Sequence, residues 1–269
     1  MFRAVGQRPV LAVLVAAVGI SFSGILFRLS HVSSSTGAFY RCVWALPPLF
    51  VLARIEDRRY GKRETRAVLL AWLAGVFFAA DLILWHNAIE LVGAGLATVL
   101  GNTQVVLVAL LAWALLGERP QRSSLAAIPA YAGFLLTLRQ GSKDLRRPAG
   151  PLFTATLSAA IFCAAIGAVI GDLDLTPSLS ATGWLVVLAL SSQVISWLLI
   201  SSSLPRLPAV VTSILLTLQP VLSVIFAALI IDESPSKLQL AGAGCILAGL
   251  IVATVGRRQV QSPEPELAG

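Results

Sequence analysis

Long apolar runs separated by short polar loops make up almost the whole chain. Eight runs approach the roughly 20 helical residues that a bilayer core of about 30 Å requires. They cover residues 10–27, 38–53, 67–85, 93–116, 151–170, 183–200, 208–231 and 238–255. The second is short, and the strongly basic stretch behind it bounds it as a span. A ninth run, residues 123–138, carries Pro129 and Gly133 in its middle. As a helix it would extend only about 24 Å, and its proline removes a backbone donor and invites a kink. Arg3 and Arg8 before the first run would suit a secretory signal, but no convincing small-x-small cleavage site follows, so a retained first helix is expected. Residues 256–269 are polar and hold Pro and Glu, which predicts a disordered tail.

Composition changes this picture only by closing off alternatives. The 269 residues are 57% apolar and 12% charged, with a mean hydropathy of +0.85. A soluble domain carries about 25% charged residues, so a soluble enzyme, a disordered chain and a nucleic-acid-binding domain are all excluded. The net charge of +7 does not revive nucleic acid, because the basic residues fall in short clusters between apolar runs. Cys42, Cys163 and Cys245 lie inside apolar runs and read as small hydrophobes. The chain is predicted to be an all-α integral membrane protein whose first partner is the lipid bilayer.

An internal repeat organises the spans. A shift of 115 residues lays 100–126 over 215–241 with nine of 27 positions identical, Gln104 with Gln219, Glu118 with Glu233 and Pro120 with Pro235 among them. The same shift lays 67–85 over 183–200, and 38–53 over the helix beginning at Pro151. Carried forward, it maps the first helix onto about 125–142; carried back, it maps the last helix onto about 123–140. One segment, 123–138, therefore closes a first repeat (10–138) and opens a second (123–255), as though two helices had fused. Charge sharpens the point. With the N-terminus inside, a spanning 123–138 leaves 11 Lys/Arg inside and 8 outside, whereas a segment that turns back gives 17 and 2. The positive-inside rule favours the second arrangement.

Three features carry a family resemblance. LLGERP (115–120) closes the fourth span and is answered by IIDESP (230–235). GAGLATVLGNTQ (93–104) is answered by LPAVVTSILLTLQP (207–220), and Arg41 stands early in the second span within AFYRCVWAL. On these the chain resembles the EamA-type family of the drug/metabolite transporter superfamily over about residues 10–258. The resemblance implies two five-helix repeats of inverted topology, ten helices with both termini cytoplasmic, and transport of small molecules. This chain departs by one helix. Five spans with their loops should repeat at about 140 residues rather than 115, so about nine transmembrane segments are expected, with about 30 residues missing near 128–131.

An ionisable group inside a span marks a functional candidate by default. Asp81 is the one carboxylate well inside a span, with Trp85 four residues on and so on the same helical face. Asp81 with Arg41 fits either a proton relay or a structural ion pair between neighbouring helices, and a wet cavity wall stays open beside both. His86 reads as an interfacial residue. Asn102, Gln104 and Gln219 occupy equivalent helices of the two repeats, where transporter sites lie, and Gln193 and Trp197 share a face of the partner helix. These seven residues, Asp81, Trp85, Asn102, Gln104, Gln193, Trp197 and Gln219, are the expected substrate-cavity lining. Glu118 and Glu233 end their helices and are expected to cap the next one. No GxxxxGK[ST] loop, HExxH helix or nucleophile triad is found, so neither an enzyme nor a metal or cofactor is expected. The functional expectation is a secondary active transporter, exporting small polar or amphipathic metabolites across an inner membrane with the N-terminus cytoplasmic, and with proton coupling through Asp81 open. The second reading is a non-transporting membrane protein derived from such a transporter by in-frame loss of about one helix.

Overall fold

A computed structural model describes residues 8–101, 147–203 and 218–234, together with 237, 240 and 244. Among these, five helices are long and apolar enough to cross a membrane. They are α1 (Pro9–Ser30), α2 (Ser34–Tyr60), α3 (Thr65–Val92), α5 (Ala149–Ile170) and α6 (Leu179–Ser203). Between α3 and α5 lies α4 (Ala94–Gly101), and α7 (Leu218–Ile230) follows α6. Six of the expected spans thus meet a helix at their described parts, and the seventh, 93–116, meets one at its start. Of the eighth span only residues 240 and 244 are described, both helical, and segment 123–138 and the tail lie outside the described residues.

The second span is the one the apolar pattern underestimates most. Expected over 38–53, the helix runs from Ser34 to Tyr60. Its polar start is not in open water: Ser34, Ser35 and Thr36 are buried, and the Ser33 hydroxyl caps the helix by accepting from the Thr36 amide. Its basic end, residues 54–60, continues the same helix past the expected span. Two helices are broken for local reasons. In α1 the Ser21 and Ser23 hydroxyls donate back to the Val18 and Ile20 carbonyls at 2.6 and 2.7 Å, competing with the helical ladder beside Phe22. In α2 the Pro47–Pro48 pair, which can donate no backbone hydrogen bond, follows a break at Trp44–Ala45.

Close helix crossings are made by small residues, as expected where lipid removes any hydrophobic drive between helices. Gly75 of α3 lies so near α5 that a Cβ there would run into the Ala155 carbonyl and the Ser158 side chain, and the Ser158 hydroxyl donates to the Trp72 carbonyl at 2.8 Å. Gly19 of α1 meets Ser196 of α6 in the same manner. Around these crossings pack Ala38, Cys42, Leu49, Phe78, Leu82, Leu152, Ala159 and Cys163, all buried. Cys42 and Cys163 are free thiols.

Helices α2 and α5 run antiparallel and cap each other. At one end the Glu56 carboxylate, in the last turns of α2, accepts from the Ala149 and Gly150 amides at 2.9 and 2.7 Å. These are the first free donors of α5, which a negative charge satisfies. At the other end Asp172, just past the end of α5, accepts from the Ser35 amide of α2 at 3.4 Å. Its carbonyl also accepts from the Ser33 and Thr36 hydroxyls. Arg63 seals the first junction by donating to Thr154 at 3.0 Å. Burial draws the Arg63 pKa below the ordinary guanidinium value, against the opposing pull of the Asp57 and Glu56 carboxylates.

These contacts sort the described helix ends into two faces. Glu56, Arg63 and the start of α5 share one face; the starts of α2 and α4, the ends of α1, α3, α5 and α7, and the loop 171–178 share the other. The first face carries Arg54, Arg58, Arg59, Lys62, Arg63, Arg66 and Arg147 with Glu56, Asp57 and Glu64, and the second carries Glu90, Asp172, Asp174, Asp232 and Glu233 with Arg28 and Lys237.

Candidate functional site

Arg41 is the centre of the polar interior. It sits in the first segment of α2, only 4% exposed, on a helix whose neighbours Ala38, Cys42 and Ala45 are fully buried. Its Nε donates to the Gln193 Oε1 at 3.2 Å, and the Gln193 Nε2 donates to the Thr156 hydroxyl of α5, also at 3.2 Å. One amide therefore bridges α2 and α5. Thr156 stands 115 residues after Arg41, the same shift that relates the two halves of the chain, so the bridge joins equivalent positions.

A π-helical stretch, Ala189–Ser196, brings Gln193 to this point. The wider turn accommodates one extra residue, and the Ser196 hydroxyl donates to the Ser191 carbonyl, five residues back, at 2.8 Å. Such turns recur at functional sites because they re-aim side chains. Here the turn buries Gln193 completely. Trp197, one turn on, is nearly buried and meets Phe78 edge-on at 6.4 Å.

On the α3 side the Arg41 guanidinium lies over the Trp85 ring at 5.7 Å, a cation–π contact. Asp81, one turn before Trp85, is close enough to act on Arg41 electrostatically. The ion pairs within 4.0 Å among the described residues are Arg28–Glu233 and Arg63–Asp57, so Arg41 and Asp81 face each other without direct pairing. Asp81 makes no hydrogen bond among the described residues. Asp81, Trp85, Gln193, Trp197 and Arg41 are thus gathered around α2, α3 and α6. Gln219 lies at the described start of α7, partly buried and without a hydrogen bond among the described residues. Asn102 and Gln104 lie outside the described residues.

His86 departs from the interfacial expectation. It is fully buried, its ring stacked on Phe27 with centroids 4.0 Å apart, and Nδ1 bonds the Ser34 carbonyl at 3.3 Å. Nε2 has no partner among the described residues. Gly37 makes the stack fit, since a Cβ there would strike the Phe27 ring. The sequence hides this because α3 runs seven residues past the expected end of its span, to Val92. Glu233 also departs from expectation. It does cap a helix, but the helix is α4, through the Ala94 and Gly95 amides at 2.6 and 3.1 Å, and Arg28 donates to the same carboxylate. Thr156, Glu56 and Asp172 were missed altogether, although the repeat shift points to the first from Arg41 and, to within one residue, pairs the other two with each other.

The model of the EamA-like transporter family matches residues 7–139 and again 145–255. The chain belongs to the EamA-like transporter family. Two copies of the family's helical unit account for most of its length, and membership implies a multi-pass membrane protein that transports rather than an enzyme. A solved structure titled only "Crystal structure of protein" resembles this EamA-like chain with a TM-score of 0.61 and 15% identity, over 95% of this chain and 99% of that one. At that identity the likeness shows the fold alone. No curated protein matches.

Proposed function

We propose that this EamA-like protein is a secondary active transporter that exports small polar or amphipathic metabolites across the inner membrane by alternating access between two inverted repeats. The observation that carries the reading is the buried bridge Arg41–Gln193–Thr156, in which a cation and two uncharged polar groups from both halves of the chain meet within the apolar layer. Burying a guanidinium among helices is costly unless its contacts serve a purpose. The reciprocal Glu56 and Asp172 caps support the inverted relation, because an inverted repeat turns one cap into two on opposite faces.

The basic face that holds Glu56 and Arg63 is the cytoplasmic one by the positive-inside rule, which puts the N-terminal end of α1 inside. Asp81 is the proton carrier. A carboxylate within a span, beside a cation yet unpaired with it, can take a proton from the outer face and lose it to the inner one, and the substrate moves outward in exchange. Segment 123–138, with the Arg119–Arg122 and Arg139–Arg147 clusters at its two ends, then starts and finishes on the cytoplasmic side and serves both repeats.

Counterflow tests this. Purified protein is reconstituted into liposomes preloaded with one unlabelled solute from a panel of amino acids, purines and small amphipathic amines, and uptake of the labelled solute is followed. Saturable accumulation of at least one solute, lost in Arg41→Ala and retained with altered pH dependence in Asp81→Asn, is expected. Empty counterflow across the panel from folded protein would leave the non-transporting reading standing.

A further inference from the structure

We infer that Glu233 and Arg28 form the latch of the outer gate, holding the non-cytoplasmic end of the bundle shut until transport releases it; this rests on the transport reading above. Three elements from both halves of the chain meet at one carboxylate. The Ala94 and Gly95 amides at the start of α4 donate to Glu233 at 2.6 and 3.1 Å, and Arg28, near the end of α1, donates to Oε1. Glu233 itself arrives on the chain just beyond α7. Parting α7 from α1 and α4 at this end requires breaking all three bonds together.

The surroundings are built for that contact. Gly93, at φ +89°, has no Cβ to block the carboxylate; one placed there would stand 2.8–2.9 Å from its atoms. Gly95 lets α4 approach the backbone of α7 at Val224. Asp232, beside the glutamate, holds a left-handed φ of +50°, a conformation that costs a non-glycine residue energy and persists only where surrounding contacts enforce it. A cleft of about 250 Å³, lined by Arg28, Glu90, Leu96, Val224 and Glu233, lies at the same spot.

The contrast with the opposite junction separates a latch from a fixed cap. Arg63, which seals the Glu56 cap, has a side chain only 15% exposed. The Arg28 side chain is 48% exposed, against 14% for Glu233. Water can replace Arg28 at little cost, so the outer contact is reversible where the inner one is packed in. Phe22 of α1 stacked on Phe226 of α7, centroids 4.5 Å apart, lies below the latch and closes the same cleavage plane by apolar contact alone.

The test reads gate opening and needs no substrate. In a chain whose three native cysteines are alanine, Thr98→Cys reports from α4 one turn beneath the latch, where the native side chain is 1% exposed. Ala53→Cys, at 3% exposure, reports from the inner half of α2. Each is labelled with a small maleimide in membranes. Glu233→Gln should raise Thr98→Cys labelling about tenfold, the equivalent of one charge-assisted hydrogen bond, and leave Ala53→Cys unchanged. Arg28→Gln should act in the same direction but less, since the α4 cap survives. Unchanged labelling at Thr98→Cys would overturn the latch, and so would an equal rise at both reporters, which would make Glu233 a general structural cap. A wild-type protein silent in counterflow whose outer reporter still responds would overturn the transport reading and leave the latch; active counterflow with an unresponsive reporter would do the reverse.

Discussion

Replacing Gln193 with leucine should destabilise the protein by about 2–4 kcal/mol. Leucine is close to glutamine in volume, so packing in the π-helical turn changes little and the cost is electrostatic. Two bonds are lost: the one from Arg41, which as a bond to a charged group is worth about 1.5–3 kcal/mol, and the one to Thr156, for which membrane interiors give about 0.6 kcal/mol. Gln193 is wholly buried, so water does not simply take its place. Thr156→Val should cost only about 0.6 kcal/mol. The double variant should be no worse than Gln193→Leu, because the threonine bond is already gone. Reversible unfolding in mixed dodecyl sulfate and dodecyl maltoside micelles, followed by tryptophan fluorescence, gives all three values. A Gln193→Leu protein as stable as Thr156→Val, or a double variant whose losses add in full, would refute the bridge as the element that ties the halves together.

Gly75→Ala should force α3 and α5 apart, since its Cβ would meet the Ala155 carbonyl; a loss of about 1–3 kcal/mol in the same assay is expected from overpacking, and no loss would mean the helices already stand further apart. Glu56→Ala removes the carboxylate from two α5 amides and should cost about 0.5–2 kcal/mol, the usual worth of an N-cap, visible as a lower melting temperature in detergent. Asp81→Asn should fold as the wild type does and lose coupling, so that an imposed pH gradient no longer drives accumulation while counterflow continues; pH-driven uptake at the wild-type rate would remove Asp81 from the proton path.

Much of the architecture was legible because a bilayer imposes a length and a polarity on every span. Runs such as 151–170 and 10–27 had to be helices, and their described ends differ from expectation by only a few residues. The second span misled because its first turn is Ser34-Ser35-Thr36, polar residues buried against the loop after α5 rather than exposed beyond the membrane. Periodicity sees side chains and cannot see which neighbour satisfies them. Arg41 and Asp81 stood out as charges in apolar runs. That Arg41 bonds Gln193 depends on a π-helical turn in α6 that no local sequence signal announces. Thr156 was recoverable, since it is the repeat-mate of Arg41, but a threonine in a span draws no notice by itself. The Glu233 contact was beyond reach, because a glutamate just before Pro235 suggests a cap for the next helix, while the helix it caps lies 139 positions earlier in the chain.

Alternating access in the transport reading requires that the halves be inverted, so that α2 and α5 cross in opposite directions and residues 123–138 begin and end on one side. Single cysteines at Lys62, Ser142 and Thr176, in the chain freed of native cysteines, can be labelled with a membrane-impermeant maleimide in intact cells and after permeabilisation. Thr176→Cys should label in intact cells, and Lys62→Cys and Ser142→Cys only after permeabilisation. Lys62→Cys and Ser142→Cys on opposite sides of the membrane would contradict the inverted arrangement and the shared segment with it.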